Sequence, residues 1–527
     1  TYVVHQVDSG DVDAIHVDDF DVEVTENGKV YTYPLNNKLF KAYLKILKKD
    51  KQTEKQVFKP GTAYKIYRVT DDGEELVSQS YSNGNQMKTI DTFITDESGE
   101  IMTVKPLRSA KYRIYEVDSA NGLHIVKKFI EVEINSKADN YESYVDEDGY
   151  THAIITVTYT NEETYGKLAI SKTRQMLMGW DSEKREFIYE DRSLKGAEFE
   201  IYAEGDIVTQ DNQGDTWFKD GEKVATIFTG EKAEFTSECK GICNYSVDEN
   251  DVVHITLPLG KYKVKEVKTL YGYVFPKDNE WNLEFTWENG QDEFVLNSTE
   301  NTDKSGSLNL RNELARPQIS LIKEDVDSKE TVSGAAFSLC TAQDIYNVDG
   351  EKIVEAGTEL TTLTTGEDGT AICDMMLPLQ DENYVVSGSV VSGSAVSVES
   401  ETVEIGNSEE NPISQALNSG MYYLKEISVS DSYYLDEEPI PVQLCYKDAV
   451  TPVIYVNCRK ENKQTTNEID KLSVADSSEI AGCNLVITDA EGKEIISWTS
   501  GDKDSVKVSV TEKDGYCNLK YSFDEKG

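Results

Sequence analysis

The chain predicts an all-β fold laid out as a tandem array, on three observations. Thirty Tyr, 34 Gly and only 11 Pro in 527 residues suit strands joined by turns rather than helices. Asp-Gly pairs at Asp72-Gly73, Asp148-Gly149, Asp220-Gly221 and Asp368-Gly369 punctuate short alternating stretches, which is a hairpin signal and favours antiparallel sandwiches. One constellation of polar residues at the tips of apolar stripes then recurs along the whole chain.

That constellation is clearest around Arg311 to Asp325. In SLNLRN, Leu308, Leu310 and Asn312 share one face of a strand, because strand side chains alternate with period two. In QISLIKED, Ile319, Leu321 and Lys323 do the same, so an Asn closes one stripe and a Lys closes the next eleven residues on (323 − 312). Ile155, Val157, Tyr159 and Asn161 are followed by Leu168, Ile170 and Lys172 at the same spacing (172 − 161). Tyr33, Leu35 and Asn37 precede Leu44, Ile46 and Lys48 (48 − 37). Val453, Tyr455 and Asn457 precede Ile469 and Lys471, now fourteen apart (471 − 457). A third element, Tyr-x-x-x-Glu, occurs as Tyr112/Glu116, Tyr262/Glu266 and Tyr422/Glu426, and its i, i+2, i+4 spacing turns each Glu inward with its Tyr.

The repeats divide the chain into residues 1–40, the end of a unit; complete units at 41–163, 164–315 and 316–460; and residues 461–527, the beginning of another. Each complete unit has the length of one domain and room for about seven strands. Two inserts interrupt the rhythm: Met176 to Asp191, helix or loop, and the Ser/Gly/Val stretch Val385 to Val398, read as an exposed loop. A net charge of −44 argues against nucleic acid and anionic membrane as partners and suits a solvated, self-repelling rod. No run of about twenty apolar residues spans a membrane. A signal peptide and a cell-wall sorting motif would lie outside this piece.

The ordered set resembles the Cna protein B-type domains, also called SpaA-like or prealbumin-like, of Gram-positive pilins and adhesin stalks. The carrying motifs are Lys-x-Asp (Lys48 to Asp50, Lys323 to Asp325), Gly-Ala-x-Phe (Gly196 to Phe199, Gly334 to Phe337) and Gly-x-Tyr-x-x-x-Glu (Gly260 to Glu266). Departures are Thr173 and Arg174 after Lys172, Leu472 and Ser473 after Lys471, Gly61-Thr62-Ala63-Tyr64, and Gln6 where a Glu should stand. The resemblance implies immunoglobulin-like sandwiches, each closed by an isopeptide bond promoted by a Glu. The pairs are Lys48 with Asn161 under Glu116, Lys172 with Asn312 under Glu266, and Lys323 with Asn457 under Glu426. Asn37 and Lys471 are the candidates in the partial units, and Gln6 leaves Asn37 without a proton-trading group. It further implies an extracellular, wall-anchored stalk or pilus shaft, with other pilin subunits as partners. A host glycan or matrix protein bound through the inserts is the alternative.

The chemistry has its own sense. Desolvation lowers a Lys pKa and raises a Glu pKa, so a buried pair can trade its proton and free an amine to attack a neighbouring carboxamide. A buried, hydrogen-bonded cluster without a covalent link is the competing reading of the same residues. Eight Cys fall locally as Cys239/Cys243, Cys340/Cys373, Cys445/Cys458 and Cys483/Cys517, either disulfides, which an extracellular setting permits, or buried thiols. No metal-ligand spacing, cofactor loop or enzymatic triad is present in the sequence; acidic loops such as Asp146 to Gly149 read as turns rather than Ca²⁺ sites.

Overall fold

Strand alternation sets the architecture. In Lys41–Asp50 every second residue is buried, so Ala42, Leu44, Ile46, Lys48 and Asp50 face inward while Lys45 and Lys49 do not. In the computed structural model this strand lies between Glu100–Met102 and Thr151–Glu163 in one sheet. A second sheet runs Phe93–Ile94, Ala63–Thr70, Ala110–Asp118, Ile130–Ile134. Leu44, Ile46, Ile155 and Tyr159 from the first meet Tyr64, Ile66, Tyr112 and Ile114 from the second in one core. The structure describes the chain apart from residues 9–13, 16, 85, 136–140, 146–150, 288–295, 299–305, 380–421, 479, 501–504, 514–515 and 524–527. The Asp148-Gly149 turn, the acidic loop around it and the Val385 to Val398 insert fall outside the described residues. Among those described there is no α-helix, only a 3-10 turn at Cys239–Gly241, so no helix is long and apolar enough to cross a membrane.

The sandwich is antiparallel with one exception that matters. The strands Lys41–Asp50 and Thr151–Glu163 pair in parallel, with Tyr159 opposite Lys48 and Asn161 opposite Asp50. The same arrangement recurs between Arg316–Asp325 and Val453–Asn462, with Lys460 opposite Lys323 and Asn462 opposite Asp325. A parallel partner must return from the far end through a long connection, so strands remote in sequence become neighbours. Between these two segments, Tyr165–Asp181 sits beside Ser307–Leu314 in one sheet, and Glu198–Ala203 and Gly260–Lys268 pair in the other.

By contact density the chain forms two units: residues 1–172, 193–268 and 277–310, and residues 173–192, 269–276 and 311–527. In the first, the hairpin of Ile207–Val208 and Thr216–Phe218 meets the Lys41–Asp50 sandwich through backbone bonds such as Phe58 N to Asp211 O at 2.8 Å. There Glu163 accepts from Gln210 N and Trp217 Nε1, both at 2.9 Å.

In the second unit the Met176 to Asp191 stretch is neither helix nor loop but the end of Tyr165–Asp181 returning as Glu186–Ser193. Phe187 is buried in the core built by Ile319, Leu321, Phe337 and Leu424, with the Trp180 ring tilted against it, centroids 4.6 Å apart. The sequence leaves this stretch between helix and loop because the core partners of Phe187, such as Ile319 and Leu424, lie more than a hundred residues away. Phe187→Ala is expected to cost about 3–5 kcal/mol, measured as faster amide exchange at Leu339 and Leu424; unchanged exchange would mean the hairpin only rests on that core.

The partial units behave differently. Tyr33 and Leu35 are exposed and Asn37 half-buried, so the stripe expected there faces no core. Gln6 is spent on a local bond from Val17 N at 2.7 Å. Lys471 is exposed, although its carbonyl accepts from Ile480 N at 2.9 Å.

Candidate functional site: buried Lys, Glu and Asn clusters

The Tyr-x-x-x-Glu strand is anchored first. Tyr112 and Tyr262 each donate to the carbonyl four residues upstream, of Arg108 and Pro258, at 2.8 Å. Tyr422 reaches the Pro378 carbonyl at 2.8 Å instead. With the Tyr held, alternation brings Glu116, Glu266 and Glu426 into the interior, at 6 %, 0 % and 1 % exposure.

Lys48 is clamped by its own backbone, its N–H bonding Gly99 O at 3.1 Å and its carbonyl accepting from Val57 N at 2.9 Å. Lys323 repeats this with Gly369 O and Val332 N, both at 2.9 Å. Gly99 and Gly369 have φ of 70° and 68°, and a Cβ on Gly99 would lie 1.7 Å from Val57 O. Only glycine fits so close to the lysine strand.

Inside, Lys48 Nζ donates to Glu116 Oε1 and Oε2 at 2.7 Å each. Asn161 Nδ2 donates to the same Oε1 at 2.7 Å and to Ser119 Oγ at 2.9 Å. The Tyr159 ring lies 5.3 Å from the ammonium. Burial pushes the Lys48 amine down to about 8 against the pull of Glu116, and burial raises Glu116 against the pull of Lys48. One carboxyl thus touches both the amine and the amide nitrogen that would leave.

Lys172 Nζ donates to Glu266 Oε2 at 2.7 Å, and burial lowers its pKa. Asn312 is fully buried, its Nδ2 donating to Thr269 Oγ1 at 2.6 Å. Ser119 and Thr269 both stand three residues after the Glu, a spacing that the sequence carries without marking its role. Around Glu426, Lys323 Nζ lies 3.7 Å from Oε1, and burial takes its amine to about 8, with Lys460 adding to that.

The third amide needs correction. Asn457 is exposed; the Asn at Glu426 is Asn462, whose Nδ2 reaches Glu426 Oε2 at 2.7 Å and Tyr434 O at 2.8 Å. The inward face of Val453–Asn462 is Ile454, Cys458, Lys460 and Asn462, not Val453, Tyr455 and Asn457. An error of one in parity flips every side chain, and Tyr455, 67 % exposed, misled the stripe. Glu-to-Asn spacing does not choose between the two, being 45 (161 − 116) and 46 (312 − 266) elsewhere against 31 (457 − 426) or 36 (462 − 426) here.

Cys239 and Cys243 are buried with Cys243 Sγ 2.8 Å from Cys239 Sγ. Cys340, Cys373 and Cys458 are buried thiols and Cys445 an exposed one. Cys483 is a half-buried thiol, and the side chain of its partner by sequence, Cys517, lies outside the described residues.

Tandem sandwiches whose first and last strands pair in parallel over such clusters define a class, the prealbumin-like multidomain proteins. Residues 42–148 and 188–300 match the family model of the SpaA prealbumin-like fold domain. Solved structures it is similar to include the Bacillus anthracis TIE protein, at 17 % identity and a TM-score of 0.40 over 81 % of this chain; the chain spans 51 % of that protein's length. The major pilin BcpA of Bacillus cereus follows at 13 % identity, TM-score 0.29, covering 81 % of this chain and 100 % of that one. The Corynebacterium diphtheriae major pilin SpaA, a modular pilus assembly with stabilising isopeptide bonds, gives 13 %, 0.20, 80 % and 100 %. No curated protein sequence matches the chain.

Proposed function

We propose that the chain is a load-bearing segment of a Gram-positive cell-surface stalk or pilus shaft, made of complete modules at 41–163, 164–315 and from 316 to the end of the Val453–Asn462 strand, two residues beyond the boundary at 460 expected from the sequence. In each, a Lys and an Asn become an isopeptide bond. The observation that carries this is Glu116 Oε1, which accepts from Lys48 Nζ and Asn161 Nδ2 at once in a sealed core. Glu116 takes the ammonium proton, leaving a neutral amine and a neutral acid. A half-turn of the Asn161 amide would bring its Oδ1, buried without a hydrogen-bond partner, to the acid for activation. The amine attacks Cγ, the carboxyl gives its proton to Nδ2 and takes one from the attacking nitrogen, and the C–N bond to Nδ2 breaks, so ammonia leaves and the carboxyl ends protonated. Contact between the groups supplies much of the rate. The reaction happens once per module, so there is no enzymatic turnover.

The same reading applies to Lys323, Glu426 and Asn462, and by spacing in the sequence to Lys172, Glu266 and Asn312. A bond joining the first and last strands lets tension cross a module without peeling it, which suits a shaft whose partners are further subunits and whose anchor is the cell wall. The alternative of a host glycan or matrix ligand is not favoured by the 176–191 insert, whose aromatic side chains pack inside the chain.

Intact-mass measurement tests the proposal. Three missing ammonias are expected, Asn462→Ala should restore one, and Asn457→Ala none. A full theoretical mass in the wild type would refute the bonds.

A further inference from the structure

The Cys239/Cys243 pair occupies a particular place in its sandwich. Lys232–Phe235 is the edge strand of one sheet and Asn244–Val247 the edge strand of the other. The connection between them therefore closes the open side of the sandwich, away from the Tyr165–Asp181 strand that carries Lys172. It does so through a tight turn with Cys239 and Lys240 both in the left-handed region, at φ 44° and 50°. Neither is glycine, so this left-handed backbone is strained and persists only where its surroundings hold it. Gly241 N and Cys243 N both bond back to Glu238 O, at 2.8 and 3.2 Å. Ile242 plugs the interior at 3 % exposure, and Cys239 and Cys243 are 1 % and 5 % exposed. Their sulfurs, 2.8 Å apart, lie well inside the contact distance of two non-bonded sulfur atoms.

We infer that Cys239 and Cys243 are joined by a disulfide that locks the turn connecting the two edge strands across the open side of this sandwich. The inference takes from the functional proposal only its extracellular setting. A low-molecular-weight disulfide serves as oxidant. Cys239, as thiolate, attacks it and releases one small thiol; the Cys243 sulfur then displaces the second. Two cysteine S–H bonds and the small disulfide's S–S bond break, and one protein S–S bond and two small-thiol S–H bonds form. The hydrogen bond to Cys239 and burial both hold the Cys243 thiol well above its ordinary range, so the second step belongs to a locally opened turn, before the core seals. Exposed edges are where sandwiches open and pair with other chains, and this staple would guard the edge that a Lys172 to Asn312 link leaves uncovered.

The full-length chain, purified without reductant, denatured and treated with iodoacetamide, provides the test. Peptide mapping should show the peptide spanning both cysteines unalkylated and two hydrogens lighter, and doubly alkylated only after reduction. Amide exchange at Asn244–Val247 should accelerate roughly tenfold or more on reduction of the wild type, as expected for releasing so short a ring, and should not respond in a C239S/C243S variant. Full alkylation without reduction, after exposure to oxidised glutathione, would overturn the inference. So would either cysteine being found bonded to another residue or to the small thiol. Ammonia loss is read separately by mass, so failure of the staple and failure of the isopeptide bonds are distinguishable.

Discussion

Glu116→Gln is expected to leave the 41–163 module unlinked, with one ammonia restored to the intact mass. Glutamine keeps the volume and can still hydrogen-bond, but it cannot take the Lys48 proton or return it to Asn161 Nδ2. The lost bond would have closed 113 residues (161 − 48), which by analogy with disulfides contributes roughly 4–5 kcal/mol through the unfolded chain. The unlinked variant should also carry Lys48 as a buried amine without its carboxylate, a further cost. Unfolding of the module should therefore move to markedly lower denaturant, read by amide exchange at Ile46 and Ile114. If the variant still loses ammonia at Lys48 and Asn161, the carboxyl is a bystander and the proposed mechanism fails.

The second large effect lies at Glu163, where acid faces acid. Asp50 and Asp211 are 0 % exposed and Glu163 1 %. Asp50 Oδ1 is occupied by Gln52 N and Thr53 N at 2.7 and 3.1 Å, while Asp50 Oδ2 and Asp211 Oδ2 meet no donor. Lys59 is the nearby cation, its amine lowered by burial despite all three acids. Burial first, then the Asp50 charge, pushes Glu163 up to about 8, and burial raises Asp50 as well.

The sign follows from proton counting. With a folded pKa above the unfolded one, the native state holds a proton that the unfolded chain has released between about pH 4.5 and 8. Stability is therefore full below that window and lost as pH rises through it. Glu163→Gln should flatten the slope and stabilise the first unit at pH 8 by on the order of 2–4 kcal/mol. Trp217 fluorescence during denaturation reports it, since its indole donates to Glu163. Gln464, two residues after Asn462, holds the place that Glu163 holds after Asn161, so an amide is compatible with the position. Equal pH slopes in both proteins would show that Glu163 does not hold the extra proton.

Much of the site was legible in the residues alone. Lys48, Asn161, Glu116, Lys172, Glu266, Asn312, Lys323 and Glu426 all occupy interior positions, because period-two alternation along a strand is a local rule and Tyr-x-x-x-Glu states it twice. Asn462 was not legible, since the parity of Val453–Asn462 is settled by its pairing with Arg316–Asp325 and not by its own composition. Nor was the 176–191 hairpin, whose apolar residues find partners only across the fold. Ser119, Thr269, Gly99 and Gly369 went unseen for the same reason: a hydroxyl or a glycine acquires its role only from what is brought beside it.

By itself, then, the sequence determined an all-β tandem array and which residue types end each apolar stripe, because both follow from backbone periodicity and turn chemistry within a few residues. Tertiary structure alone decided which Asn meets Glu426, that first and last strands run in parallel, and that three carboxyl groups converge at Glu163. Those are register and packing choices made between segments far apart along the chain, where no local rule reaches.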